Sequence, residues 1–242
     1  MWLGGERHFQ VIKLIEAIVI AGGFGTRLRQ VVPDLPKPMA PIAGRPFLEI
    51  LLSTLAKKGF TSVVLSLGFM AEKIIAHFGD RYAGMELVYE VEQQPLGTGG
   101  AIRAALVRCE SDHVFVFNGD TYLDLEVDEL ENLWQARHHS VIVVREVPDT
   151  ARFGRVEMLG GRVSAFREKG VFGKGLINAG CYVLPQGALD AFPQGQNFSL
   201  ETEYLAKELN HIHFDGFVTS GRFIDIGVPE DYARAQIELA GL

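Results

Sequence analysis

Two rhythms of apolar residues divide this 242-residue chain. In the first half, short apolar runs at Leu14–Ile20, Ser62–Leu67, Glu86–Val91 and His113–Phe117 read as buried strands. Between them the apolar positions recur with helical spacing, which predicts helices over Phe47–Lys57, Ala71–Phe78 and Thr98–Val107. Gly59 stands where a glycine closes a helix. This alternation predicts an α/β fold, a Rossmann-like, mostly parallel mixed sheet flanked by helices. After a further helix at Val127–Arg137 the rhythm changes. Ser140–Val147, Gly154–Met158, Arg162–Glu168 and Leu176–Val183 read as strands, and Gly160-Gly161 marks a hairpin. They predict added antiparallel strands that form the second wall of a cleft. Helices at Ser199–Leu209 and Pro229–Ala240, with strands near His213–Thr219 and Arg222–Ile226, complete the pattern. No repeat or Pro/Gly linker interrupts it, so residues 14–242 are expected to form one domain behind an extension over residues 1–13.

Charge and composition narrow the class. A net charge of −7 excludes general nucleic-acid binding, which needs a basic surface, so any anion site must be a local basic cluster on an acidic body. No apolar run is long enough to span a bilayer and no secretory leader is recognisable, which points to a cytoplasmic protein with no membrane association. The two cysteines, Cys109 and Cys181, fit no metal or redox spacing and read as buried free thiols.

In open sheets of this kind ligands bind beyond the carboxyl ends of the strands. Ala21-Gly22-Gly23-Phe24-Gly25-Thr26-Arg27 follows the first strand, and Lys37 comes soon after in Leu35-Pro36-Lys37-Pro38-Met39. Glycines let backbone N–H groups approach phosphate oxygens, and the two cations neutralise them. The loop is not a dinucleotide fingerprint, since Leu28 occupies the place of the last glycine. It is not a Walker A loop either, because the Gly-Lys at Gly173-Lys174 lacks both the first glycine and the Ser/Thr. A tight turn with a surface salt bridge from Arg27 is the plainer alternative.

Asn118-Gly119-Asp120 ends another apolar strand, where a carboxylate is well placed to hold Mg²⁺ against bound phosphates; an ordinary turn would look the same. Asp225 interrupts the apolar run Phe223-Ile224-Asp225-Ile226-Gly227, where an unpaired charge is costly, so it is either a metal ligand or half of a buried ion pair. Glu168-Lys169 ends a strand of the second wall and offers a cation opposite Lys37, unless it is only a solvated strand end. Glu92-Gln93-Gln94-Pro95-Leu96-Gly97-Thr98-Gly99-Gly100 is a second glycine-rich turn, open to a flat ring. Its carboxylate suits the paired N–H donors of guanine, while an ordinary turn with a Thr98 N-cap is the alternative. His138-His139 follows a helix end, and His211 and His213 read as one face of a strand. Metal binding by either pair needs further ligands that the sequence does not place.

Together these segments resemble the sugar-1-phosphate nucleotidyltransferases, through Gly22–Arg27, Pro36-Lys37-Pro38, Pro95–Gly100, Asn118-Gly119-Asp120, Glu168-Lys169, Asn178-Ala179-Gly180 and Phe223–Tyr232. Within that family, Asp34–Pro41, Phe198-Ser199-Leu200-Glu201 and the Asp225 segment look most like the D-glycero-D-manno-heptose 1-phosphate guanylyltransferases, with the mannose-1-phosphate guanylyltransferases as the alternative. The resemblance implies a GT-A-like nucleotidyltransferase fold, with a nucleotide half over residues 14–125 and a sugar-phosphate half over 126–242. It implies that a sugar 1-phosphate attacks the α-phosphorus of a nucleoside triphosphate, GTP above the others, and expels pyrophosphate. Arg27 would then grip the leaving phosphates among the backbone N–H groups of Gly22, Gly23, Gly25 and Thr26. Lys37 would reach the α-phosphate and Lys169 the sugar phosphate. Asp120 and Asp225 would hold Mg²⁺. Gly154, Glu168 and Asn178 would contact the sugar, and Ala21, Glu92, Gly97 and Thr98 the nucleotide. A homodimer is also in keeping with the family. A non-catalytic sugar-nucleotide-binding subunit would be expected to lack one of these charged groups, and all five of Arg27, Lys37, Asp120, Lys169 and Asp225 are present. This chain departs from many relatives at Gln30-Val31-Val32-Pro33 and at Gly170 after Glu168-Lys169, without loss of a charged group.

Overall fold

A computed structural model describes residues 14–23, 28 and 32–242. The 1–13 extension lies outside the described residues. The first strand, β1 (Glu16–Ile20), is followed by the short pair β2 (Pro41–Ile42) and β3 (Arg45–Pro46), then α1 (Phe47–Lys57), β4 (Ser62–Leu67) and α2 (Ala71–Phe78). Next come β5 (Arg81–Tyr82), β6 (Met85–Val91), α3 (Gly97–Leu106), β7 (His113–Asn118), β8 (Thr121–Leu123) and α4 (Val127–Arg137). The remainder is β9 (Ser140–Val147), β10 (Arg155–Leu159), β11 (Arg162–Arg167), β12 (Gly175–Pro185), a helical segment ending in α5 (Ala206–Glu208), β13 (Phe214–Thr219), β14 (Phe223–Asp225) and α6 (Pro229–Glu238).

Ten strands form one sheet in the order β10-β11-β13-β9-β12-β7-β1-β4-β6-β5. The strands around β1 run parallel: β1 pairs with β4 and β7, and β4 pairs with β6. β12 runs antiparallel to both β7 and β9, and β10 pairs antiparallel with β11. The mixed sheet and its antiparallel second wall are thus as the sequence predicts.

Alternation along β1 explains why the sheet is covered on both faces. Ala17 and Val19 join one core with Leu48, Leu51 and Leu55 of α1, Ile74 of α2 and Trp134 of α4. Ile18 joins the other, with Ile102 and Leu106 of α3, Phe198 and Tyr204. All three β1 residues are fully buried, and burying an aliphatic side chain such as that of Ile18 or Val19 contributes about 1.5–3 kcal/mol. A third, smaller core joins Leu28, Ile42 and Phe47 to Tyr122 of β8, Ile224 of β14 and Tyr232 of α6. It fastens the last helix onto the segment that carries Lys37.

Two local expectations change. α3 begins at Gly97 with Leu96 as its cap residue, so Thr98 is inside the helix and does not cap it. The helix expected from Ser199 is wide-turned over Leu200–Leu205 and α-helical only over Ala206–Glu208. Its entry is set by Ser199, whose Oγ accepts the Thr202 N–H at 3.2 Å. Glu201 meanwhile is drawn aside to Thr98, and a wide turn of this kind often marks a functional place in a helix.

Candidate active site

The carboxyl ends of β1 and β7 meet through backbone. The Gly119 N–H donates to Ile20 O at 2.8 Å, and a Cβ on Gly119 would stand 2.6 Å from that same oxygen. Only glycine allows this approach, and it sets Asp120 directly beyond β1. Next, β8 pairs antiparallel with β14, which places Asp225 opposite Thr121, and the Ile226 N–H donates to Asp120 O at 2.9 Å. A two-stranded ladder thereby brings the two sequence-remote aspartates together.

Lys37 completes this corner. Its ammonium pairs with Asp120 Oδ2, the lysine side chain being 12% exposed and the aspartate 38%. Lys37 starts a single helical turn, Lys37–Met39, that buries Pro38 and Met39. Asp225 takes a different partner, accepting the Gly227 N–H at 2.7 Å through Oδ1. Burial pushes the Asp225 carboxyl above its ordinary range, the charge of Asp120 adds to the push, and Lys37 and the Gly227 N–H oppose it. Two carboxylates therefore share one nearby ammonium and remain short of positive charge. Oxygen donors with unbalanced negative charge suit a hard divalent cation, so the residues present fit a Mg²⁺ site. Lys37 and Asp120 line a cavity of about 280 Å³ together with Ala21, Gly23, Asn118 and Gly227, the residue whose N–H Asp225 holds.

A second cavity of about 330 Å³ adjoins the first and shares Ile20, Gly23 and Thr98 with it. Its walls are Gly22, Gly68, Phe69, Glu92, Pro95 and Gly97. Glu92 Oε2 accepts the Leu96 N–H at 3.0 Å. Its Oε1 lies so close over Gly22 that a Cβ there would stand 2.8 Å away. Burial raises the Glu92 carboxyl against the lowering effect of that N–H, so a ligand with N–H donors would meet a receptive acceptor. Thr98 lines both cavities, yet its hydroxyl is occupied: it accepts the Leu200 N–H at 2.9 Å and donates to Glu201 Oε2 at 2.7 Å. It is a rivet between α3 and the wide-turned helix.

The other wall is built around Asn178 on β12. Its Nδ2 donates to the Tyr182 hydroxyl at 2.8 Å, its Oδ1 accepts the Gly180 N–H at 3.0 Å, and the Tyr182 hydroxyl donates to Glu201 Oε1 at 3.4 Å. Burial holds the Tyr182 phenol protonated, well above its ordinary range, with the charge of Glu201 adding to it. A chain of side chains thus runs from Asn178 to Thr98, joining the two walls. Tyr182 is the member that motif reading missed. The motif Phe198–Glu201 was visible, but what it touches was not.

Glu168 and Lys169 are exposed just beyond β11. Gly154 packs against them, its absent Cβ being 2.9 Å from Arg167 O, and the Gly170 N–H donates to Ala151 O at 2.9 Å. The turn before Gly154 is tied to the aspartate corner by Arg152, which donates to Asp231 Oδ2 at 2.6 Å, and by Phe153, edge-on to Phe223 at 6.2 Å. Among the described residues Lys169 makes no ion pair, while Lys37 is paired with Asp120. Gly25, Thr26 and Arg27, expected around the leaving phosphates, lie outside the described residues.

The Nucleotidyl transferase family model matches residues 16–240. The chain is 41% identical over 230 residues to the D-glycero-alpha-D-manno-heptose 1-phosphate guanylyltransferase of Aneurinibacillus thermoaerophilus, which covers 93% of this chain and 98% of that protein. It is 36% identical over 231 residues to the mannose-1-phosphate guanylyltransferase of Mycobacterium tuberculosis, covering 93% of this chain and 64% of that longer protein. Among solved structures, HddC from Yersinia pseudotuberculosis complexed with GMP-PN matches with a TM-score of 0.82 at 36% identity, over 92% of this chain and 98% of that one.

Proposed function

The chain belongs to the nucleotidyl transferase family, and from that premise we propose that it transfers a guanylyl group from GTP to D-glycero-D-manno-heptose 1-phosphate. A GDP-heptose and pyrophosphate are the products. The observation that carries this reading is the corner where Lys37, Asp120 and Asp225 meet, beside a glycine-walled cleft with the half-buried acceptor Glu92. Guanine is supported by Glu92, whose carboxylate matches the N1–H and N2–H₂ edge, and by the GMP-PN complex of HddC. Heptose is supported by the near full-length similarity to a heptose 1-phosphate guanylyltransferase.

The chemistry asks little of a general base. A sugar phosphate is an anion at neutral pH, so its oxygen attacks the α-phosphorus as it stands. The new P–O bond forms as the bond to the β-phosphate breaks, and pyrophosphate leaves with the electron pair. The obstacle is the repulsion between two polyanions, so catalysis rests on alignment and fixed positive charge. Lys37 delivers one charge from a defined place, because Asp120 and the buried turn around Pro38 hold it at the cleft wall. The Gly22–Gly23 backbone flanks the same space, with Arg27 assigned to the leaving group. Asp120 and Asp225 would hold Mg²⁺, which when bound neutralises phosphate oxygens and fixes their orientation. On the opposite wall Asn178 is oriented by Tyr182, and Lys169, with no ion-pair partner among the described residues, has its charge open to a sugar phosphate.

Pyrophosphate release tests the reading, with each of the four nucleoside triphosphates set against heptose-, mannose- and glucose-1-phosphate. GTP with the heptose phosphate should give the highest kcat/KM. Preference for another triphosphate overturns the nucleotide, preference for mannose overturns the sugar, and no release from any pair overturns catalysis.

A further inference from the structure

At the opposite end of the sheet the structure assembles a cluster that the transfer reaction does not use. β9 runs antiparallel to β12, which runs antiparallel to β7, so β9 points the same way as β7. Its amino end, and that of its parallel neighbour β13, therefore lie away from the cleft at the carboxyl ends. His139 immediately precedes β9, His213 immediately precedes β13, and Phe214 pairs with Ser140. The ladder so aligns two histidines that the sequence assigned to separate pairs. His213 does not share a strand face with His211, because β13 begins only at Phe214.

Both rings converge on Asp215. His139 Nδ1 is 3.2 Å from Oδ2, and His213 Nε2 is 3.1 Å from Oδ1. The ring centroids are 4.4 Å apart. The three ligand-type atoms all lie within 4.8 Å of one another. In a tetrahedral site with metal–ligand bonds of about 2.0–2.1 Å, neighbouring ligand atoms stand about 3.3 Å apart. The His139 Nδ1···Oδ2 separation meets that spacing as it stands, while His213 Nε2 faces the other oxygen, Oδ1, and would turn its partly exposed ring toward Oδ2 to join the same ion. Asp215 is 1% exposed and anchored from behind by Arg137 Nη1 on Oδ1 at 2.6 Å, while His139 is 43% exposed and His213 38%. This is one fixed carboxylate, oriented by an outer partner as metal ligands commonly are, with two imidazoles open to solvent.

We propose that His139, His213 and Asp215 form a second metal site, for a divalent transition ion such as Zn²⁺, separate from the aspartate corner. Two imidazoles and one carboxylate select an ion softer than Mg²⁺ and leave a fourth position for water or for a donor from another molecule. For coordination each imidazole presents a lone pair in place of an N–H, Asp215 Oδ2 faces the ion, and Oδ1 keeps Arg137.

Co²⁺ titration of the whole protein in excess Mg²⁺, which saturates the all-oxygen site, tests this through the visible ligand-field bands of low-coordinate Co²⁺. One equivalent of Co²⁺ should give intense bands that Zn²⁺ abolishes. His139→Ala and His213→Ala, both on partly exposed side chains, should each weaken Co²⁺ binding by about 100-fold or more. Both should retain transfer activity and a wild-type far-UV spectrum. A wild-type protein without such bands, or bands that survive in the double variant, would overturn the site and leave the cluster as a hydrogen-bonded clasp around Asp215.

Discussion

The short ladder of β8 and β14 carries carboxylates at both ends, and the two ends are built on opposite terms. At one end Glu126 receives the Thr219 hydroxyl at 2.6 Å, the Ser220 hydroxyl at 2.7 Å and the Ser220 N–H at 3.0 Å. Burial opposes its ionisation, yet the hydrogen bonds from Thr219 and Ser220 prevail and hold its pKa at about 2. At the other end Asp225 has a single N–H donor and another carboxylate for a neighbour, and its pKa moves up. Glu126 is a finished clamp between β8 and the strand entering β14. At the unfinished end Asp120 and Asp225 are left with surplus negative charge, which in the proposed function a bound cation balances. Surplus charge left by the fold, rather than charge as such, separates the two.

Three measurements can break or sharpen this contrast. The largest effect should come from Lys37→Ala, which removes the cation of the unfinished end. Loss of one positioned electrostatic contact typically lowers kcat by about 10²–10³. Near-normal pyrophosphate release would remove Lys37 from the chemistry. Next, Asp225→Asn should weaken the apparent Mg²⁺ affinity in the transfer assay by about 10–100-fold. Because it relieves repulsion with Asp120, the same change should leave the urea midpoint unchanged or raise it. An unaltered Mg²⁺ dependence would sink the ligand role, and a marked fall in the midpoint would show that Asp225 is structural.

The smallest effect belongs to the finished end, where Glu126→Gln should cost about 1–2 kcal/mol after allowance for solvent screening, with kcat preserved. The sign with pH follows from a folded pKa near 2 against about 4.3 in the unfolded chain. The contribution is complete above the unfolded value and disappears as pH falls through the folded one. Urea midpoints of wild type and variant should therefore differ at pH 7 and converge between about pH 4 and pH 2. A constant gap down to pH 2 would mean that the charge of Glu126 is not what stabilises the ladder.

How much of this was legible beforehand differs by residue. Apolar runs and helical spacing place α1, α2, α4 and β9 at their observed bounds, because local periodicity and burial coincide there. Thr98 reads from the sequence as a nucleotide contact or, in the plainer alternative, a helix cap, and only the arrival of Leu200 and Glu201 from far along the chain shows where its hydroxyl goes. Lys37 and Asp120 were each visible as charged residues in glycine- and proline-rich turns. Their pairing across 83 positions was not, since nothing local in either turn encodes it. His139 and His213 failed for the same reason, as their meeting depends on the parallel register of β9 and β13.

By itself, then, the sequence determined the α/β architecture, the position of the glycine turns at strand ends and the inventory of charged groups suited to nucleotidyl transfer. Those features are written in residues close together in the chain, where hydrophobic spacing and backbone freedom act. The tertiary structure alone decided which charges would be satisfied and which left over, joining Asp225 to Asp120, Glu126 to Thr219 and Asp215 to two histidines. Desolvation and charge compensation depend on what each carboxylate meets in space, and strand register sets that between residues far apart in the chain.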